Sequence, residues 1–196
     1  MTLHNHTLNG LPLRTSDVLC TRDGRRNAHF ARIWRLLGLL IPGEIDHCVL
    51  YLGPGGRYVE SATRGVILFD MPGETWKPQL RVRQRLLIDE LIGVAYPLEG
   101  RGFTPTEEAE IRRGVAQYCL DIAARNAPFN YNFFNPASDG AFYCSQLVYK
   151  AYLAFGVDLN TNQGVPSASI LEKIVFPQEI WNACAHRRAD VGQASA

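Results

Sequence analysis

Turn residues divide residues 47–70 into three short apolar runs, and this division constrains the fold more than any other feature of the sequence. Pro54-Gly55-Gly56 separates the first run from the second, and Thr63-Arg64 separates the second from the third. Runs joined by turns this short pair as antiparallel neighbours. Residues 80–86 alternate leucine or valine with arginine, which is typical of a half-buried antiparallel strand. The predicted strands are 17–21, 47–53, 57–61, 65–70 and 80–86.

Helical patterns dominate the remainder of the chain. Thr104-Pro105-Thr106-Glu107 combines an N-cap, a proline at the first helical position and a capping-box glutamate, so a helix is expected from there to about Ala124. A second helix is expected from Cys144 to Phe155, ended by Gly156. Further helices are predicted at 28–41 and from Ser169. Strands followed by helices predict an α+β fold, with an antiparallel sheet packed against helices.

The length of 196 residues is that of one domain. With 46% hydrophobic and 20% charged residues, the composition is that of an ordinary globular protein. We expect a flexible leader at 1–15, a single domain at 16–186 and a frayed tail at 187–196.

Charge and cysteine usage narrow the classes of partner. Twenty basic against nineteen acidic residues leave a formal charge of +1, so no nucleic-acid partner is expected. The sequence has no apolar stretch of membrane-spanning length and no signal-peptide pattern at its start, which favours a cytoplasmic protein. The five cysteines are scattered and form no CxxC pair, so neither a disulfide framework nor a zinc site is predicted, and no cofactor is expected.

Cys144 is the cysteine whose position is most informative. The predicted helix places it in the first turn, where the helix dipole and free backbone N–H groups stabilise a thiolate. The alternative is a small buried residue at the start of a core helix, because free cysteine is among the most buried residue types.

His47 and Glu60 lie on two strands that the Pro54-Gly55-Gly56 turn joins. Antiparallel pairing could bring the two side chains together on one face, where the carboxylate would orient the imidazole. Together with Cys144, they would form the Cys, His and acid set of a thiol nucleophile. The alternative is a surface histidine–glutamate pair of no catalytic importance.

Four segments, taken in order, resemble the permuted NlpC/P60 (papain-like) hydrolases of the YiiX type. They are Ser16-Asp-Val-Leu, His47-Cys-Val-Leu-Tyr-Leu-Gly53, Tyr58-Val-Glu-Ser-Ala62 and Phe142-Tyr-Cys-Ser-Gln-Leu-Val148. In that family the histidine strand comes early and the helix of the nucleophile comes late. The resemblance covers about residues 16 to 175 and implies a circularly permuted papain-like fold. Gln146 stands where the family usually has glutamate.

The resemblance implies Cys144 as nucleophile, His47 as base and Glu60 as the third member, with Tyr131 or Tyr143 near the site. Asp17 and these tyrosine hydroxyls are candidate groups for binding substrate or an oxyanion, and the backbone N–H of Cys144 is a further donor. No metal is expected at the site.

Three functions remain open at this stage. The first is a cysteine hydrolase that cleaves an amide bond in a small peptide or cell-wall-type fragment. The second is a lipid acyl hydrolase or acyltransferase of the lecithin:retinol acyltransferase-like type, for which the predicted helix 28–41, with Arg32 and Arg35 on one face, would suit a membrane surface. Packing of that helix in the core is favoured over membrane contact. The third is a catalytically silent binding module.

Overall fold

The computed structural model describes residues 1–23, 43–162 and 173–190. The strands are β1 Asn5–Leu8, β2 Leu11–Arg14, β3 Val18–Asp23, β4 His47–Gly53, β5 Arg57–Ala62, β6 Gly65–Asp70, β7 Asp89–Tyr96 and β8 Ala185–Arg188. The helices are α1 Val82–Arg85, which follows a 3-10 turn at Pro78–Arg81, α2 Pro105–Ala124, α3 Cys144–Leu153 and α4 Pro177–Ala183.

Six strands form one antiparallel sheet in the order β6-β5-β4-β3-β7-β8, and β1 pairs with β2 in a separate hairpin. The fold is therefore α+β with an antiparallel sheet, as predicted. Three predicted strands, at 47–53, 57–61 and 65–70, correspond to β4, β5 and β6. None of the helices in the described parts of the chain has the length and apolar character needed to cross a membrane.

Both faces of the sheet are covered, which explains why every residue of β4 is buried. Cys48, Leu50 and Leu52 belong to a core shared with α2, α3 and α4, which we call the helix-side core. Val49 and Tyr51 point the other way, because side chains alternate along a strand. They pack with Leu8, Leu11, Leu13, Tyr58, Phe69 and Trp76, which we call the hairpin-side core.

Local signals at the helix ends agree with the structure. The Thr104 side chain accepts a hydrogen bond from the backbone N–H of Glu107 (3.3 Å), and the Glu107 carboxylate accepts one from the backbone N–H of Thr104 (2.8 Å). This capping box, with Pro105 at the first position, begins α2 where the sequence predicted it. The turn between β4 and β5 requires Gly56, which has a φ of 71° and whose added Cβ would lie 2.1 Å from the carbonyl oxygen of Met71.

The predicted strand at 80–86 is wrong. These residues form the end of the 3-10 turn, α1 and the left-handed residue Leu86. The alternation of leucine and arginine suggested that the arginines face water, but Arg85 is fully buried while Leu80 is 62% exposed. Pro78 starts the helical turn, and the buried partners of Arg85 outweigh the period-two pattern.

The two ends of the chain also differ from expectation. Residues 1–15 are not a flexible leader, because β1 and β2 pair through four residues each and bury Leu8, Leu11 and Leu13. Of the predicted frayed tail, Arg187 and Arg188 belong to β8, which pairs with β7. The predicted helices at 28–41 and from Ser169, together with Arg32 and Arg35, lie outside the described residues.

The packing of the hairpin predicts a stability cost on truncation. Leu8→Ala should lower the free energy of unfolding by about 2–5 kcal/mol, since it leaves a cavity in the hairpin-side core. Thr7→Ala on the exposed side of the same strand should change it by about 0.5 kcal/mol or less. Urea denaturation measures both variants, and equal, small effects would show that the hairpin does not belong to the cooperative core.

Candidate active site

Cys144 is the first residue of α3, and it is 8% exposed. Tyr143 before it is extended, with φ −95° and ψ 169°, so the chain turns sharply into the helix at the thiol. Backbone N–H groups in the first helical turn have no partner within the helix. The sulfur therefore lies beside free donors and the positive end of the helix dipole, as the sequence predicted.

The start of α3 is held from two sides. The hydroxyl of Ser61 on β5 donates to the carbonyl of Phe142 (2.5 Å). The hydroxyl of Ser145 donates to the carbonyl of Val175 (2.7 Å), and the backbone N–H of Val175 donates to the hydroxyl of Tyr143 (3.2 Å). These bonds fix the residues on both sides of Cys144 to separate parts of the fold.

Gln146 organises the loop that precedes the thiol. Its carbonyl oxygen accepts from the side chain of Asn130 (3.0 Å) and the backbone N–H of Tyr143 (3.2 Å). Its amide nitrogen donates to the carbonyls of Pro136 (3.1 Å) and Ser138 (3.2 Å). An ionised glutamate could not donate these last two bonds. The amide of Gln146 therefore suits the two carbonyl groups that face it.

His47 and Glu60 are in contact, as the hairpin pattern predicted. Nε2 of His47 lies 2.8 Å from Oε2 of Glu60, and both side chains are buried. The register pairs Leu50 with Val59 and Tyr51 with Tyr58, and it places the two residues on the hairpin side of neighbouring strands. The register slip by one residue that would turn Glu60 away from His47 is not present.

The Cys144 side chain is the other hydrogen-bond partner of His47. Because Nε2 faces Glu60, Nδ1 is the nitrogen left for the thiol. Burial disfavours the imidazolium, but the charge and hydrogen-bond interactions with Cys144 and Glu60 outweigh burial and raise the pKa of His47 well above its usual value. The imidazole is thus placed to hold a proton next to the sulfur and to pass it on.

Arg85 extends this chain of contacts into the core. Its Nε donates to Oε1 of Glu60 (2.9 Å), and one terminal nitrogen donates to Oε2 (2.6 Å). The guanidinium also donates two bonds, of 2.8 and 3.0 Å, to the carboxylate of Asp89. It lies 4.7 Å from the ring centroid of Phe69 and 5.0 Å from that of Trp76.

The buried charges explain the state of Glu60. Burial favours its neutral form, but Arg85 and His47 together lower the pKa of Glu60 to about 2. Burial similarly opposes the charge on Arg85, and the two carboxylates outweigh it and raise its pKa. Glu60 and Asp89 thus bring two negative charges to one guanidinium, and a protonated His47 supplies the second positive charge.

The other candidate residues differ in their relation to this site. Asp17, which directly precedes β3, accepts a bond from Arg112 of α2 (2.7 Å) and one from the backbone N–H of Arg14 of β2 (2.7 Å), so its described side-chain contacts connect these elements. Burial outweighs these contacts and raises the pKa of Asp17 to about 6. Tyr143 adjoins Cys144, and its hydroxyl oxygen accepts a hydrogen bond from the backbone N–H of Val175 (3.2 Å). Tyr131 is 71% exposed, and its ring packs against Phe129.

Sequence reasoning missed Arg85 and Asp89. The incorrect strand at 80–86 assigned Arg85 to a solvent-facing row of arginines. One signal pointed elsewhere, namely Pro78, which stands at the start of a helical turn.

Comparisons with protein-family models, curated proteins and solved structures give no match to this chain. Within the described ranges, no three histidine, cysteine or acidic side chains form a group suited to a metal ion.

Removal of the buried guanidinium predicts a large loss of stability. Arg85→Met should lower the free energy of unfolding by about 3–5 kcal/mol, because it leaves Glu60 and Asp89 buried without their cation. Arg83→Met on the exposed side of α1 should change it by about 0.5 kcal/mol or less. Urea denaturation at neutral pH measures the difference, and similar values for both variants would contradict the assigned role of Arg85.

Proposed function

We propose that the protein is a cysteine hydrolase in which Cys144 is the nucleophile, His47 the general base and Glu60 the residue that orients His47. The observation that carries the proposal is the placement of His47 between the Cys144 side chain, at the start of a helix, and the buried carboxylate of Glu60 at 2.8 Å. Nucleophile, base and orienting group in mutual contact are what nucleophilic catalysis requires.

The first half-reaction forms an acyl-enzyme. The Cys144 thiolate attacks the carbonyl carbon of the substrate, and the carbonyl oxygen gains the negative charge. The backbone N–H of Cys144, free by its position in α3, is a donor for that oxygen. Protonated His47 then gives its proton to the leaving amine, the C–N bond breaks, and a thioester remains on Cys144.

The second half-reaction restores the enzyme. His47, now neutral, takes a proton from a water molecule that attacks the thioester carbon. The C–S bond breaks, the acid product leaves, and the thiolate again pairs with protonated His47. Glu60, which Arg85 keeps ionised, stabilises the imidazolium formed at each stage.

The proposal extends to the family and the substrate class. The order of the elements is that of the permuted NlpC/P60 hydrolases: the strand with the histidine comes early, the acid lies on the next strand, and the helix with the nucleophile comes late. This order supports a circularly permuted papain-like fold. An amide in a small peptide or cell-wall-type fragment is the proposed substrate. Tests on acyl-lipids as well as acyl-peptides separate this activity from that of the lecithin:retinol acyltransferase-like proteins, and absence of turnover on both would favour a binding module.

The reactivity of Cys144 can be tested against a matched thiol. Cys184 is also 8% exposed, but burial raises its pKa to about 12. Brief treatment with iodoacetamide at neutral pH should therefore alkylate Cys144 and leave Cys184 as a thiol, because the thiolate is the reacting form. Peptide mass mapping identifies the labelled residue, and equal labelling of the two would argue against an activated Cys144.

Measurement of turnover tests whether Cys144 is needed for hydrolysis. Cys144→Ser should lower kcat at least about a thousandfold on whichever acyl-peptide the parent hydrolyses, since an alcohol replaces the thiolate. Cys184→Ser should retain the parent rate. Circular dichroism establishes that both variants are folded, and a Cys144→Ser variant with parental turnover would refute the proposed nucleophile.

Glu60→Gln should lower kcat by about ten- to a hundredfold. This loss is smaller than that of Cys144→Ser, because Glu60 orients the base and forms no bond to the substrate. The substitution also removes a charge that raises the pKa of His47. The protonated His47 needed for the ion pair is then lost at lower pH, so the alkaline limb of the kcat profile should move to lower pH. A profile that does not move, with an unchanged rate, would exclude Glu60 as the orienting group.

A further inference from the structure

Two buried cysteines outside the proposed site face each other across the centre of the sheet. Cys20 of β3 is directly opposite Cys48 of β4 in the antiparallel register. Their exposed fractions are 0% and 1%, and both belong to the helix-side core. The catalytic scheme uses neither thiol.

The hydrogen-bond pattern of the two strands fixes the type of this pair. The backbone N–H of Tyr51 donates to the carbonyl of Asp17 (3.0 Å), and these residues flank the pair formed by Val18 and Leu50. Bonds in this position mark a non-hydrogen-bonded pair, and pair types alternate along an antiparallel ladder. The Cys20–Cys48 pair, two residues further on, is therefore also of the non-hydrogen-bonded type.

This pair type has the dimensions that a disulfide needs. Residues opposite each other in a non-hydrogen-bonded pair have Cα atoms about 4.5 Å apart, inside the window of about 4.4–6.8 Å for disulfides. The two side chains point to the same face, and the Cys48 thiol hydrogen-bonds to Cys20. Closing the bridge thus needs little backbone movement.

We propose that Cys20 and Cys48 are a modification site at which a peroxide oxidises the pair to a reversible intramolecular disulfide. One thiolate of the pair attacks the O–O bond of hydrogen peroxide, which gives a sulfenic acid and hydroxide. The second thiol then attacks the sulfenic sulfur, the S–S bond forms, and water leaves. In sum, two thiols and one peroxide give one disulfide and two waters.

The surroundings of the pair determine how it reacts. Burial raises the pKa of Cys48 well above its usual value, and neighbouring thiols act in the same direction. Since the thiolate is the form that attacks peroxide, the oxidation is slow at neutral pH and accelerates as the pH rises. Cys48 adjoins His47 on β4, so the new bond lies one residue from the proposed base.

The test uses the Cys144→Ser variant, so the thiol of the proposed nucleophile cannot react. The folded protein is treated with hydrogen peroxide at pH 7 and pH 9, then denatured with an alkylating reagent and mapped by mass spectrometry. We expect a peptide pair joined through Cys20 and Cys48, lighter by two hydrogens, to form faster at pH 9 and to be reversed by dithiothreitol. Cys119, equally buried in the helix-side core, is the internal control and should remain a thiol.

Three results would overturn the proposal. They are retention of both thiols, oxidation of either one to sulfinic acid without a bridge, and a bridge from either one to Cys184. Because the measurement is a mass and the variant lacks the proposed nucleophile, the outcome is independent of whether the protein is a hydrolase. A Cys20→Ala variant in the same background should lose the bridged peptide. Cys48 should then be found without a disulfide bond to another peptide.

Discussion

The buried ion pair between Arg85 and Glu60 is the interaction on which the rest of the candidate site depends. A carboxylate that is 1% exposed does not remain ionised unless a cation is close, and Arg85 supplies two bonds to Glu60 for that purpose. The ionised carboxylate in turn favours a protonated His47, whose other hydrogen-bond partner is the Cys144 side chain. Asp89 and the ring of Trp76 hold the guanidinium in place, so an ion pair in the core sets the charge of the carboxylate that contacts His47.

The sequence sufficed for the parts of the structure that local signals decide. The tight turn after β4 and the capping box of α2 are short-range features, and the α+β class, the position of Cys144 and the contact of His47 with Glu60 follow from such features. Arg85 could not be placed in the same way. Its burial depends on Glu60, a residue on β5 far from α1 in the sequence, and an arginine with a distant buried partner looks in sequence like an arginine facing water.

The burial of the hairpin β1–β2 also depends on residues that are distant in the sequence, so local signals did not predict it. Residues 1–15 have few apolar side chains, and their composition suggested a leader. Leu8, Leu11 and Leu13 nevertheless cover the face of the sheet opposite the helices, which also contains Tyr51 and Tyr58. That face is the one on which Glu60 meets Arg85, so the hairpin helps to exclude water from the charges that the site uses.

The order of the site residues along the chain affects how the protein is made. His47, Glu60 and Arg85 all precede the nucleophile, and α3, which carries Cys144, is added only after the meander and α2. During synthesis, which proceeds from the N-terminus, the strands that carry His47 and Glu60 are complete well before Cys144 is added. In the proposed mechanism, a nascent chain released before α3 therefore has the base and its carboxylate but lacks the nucleophile.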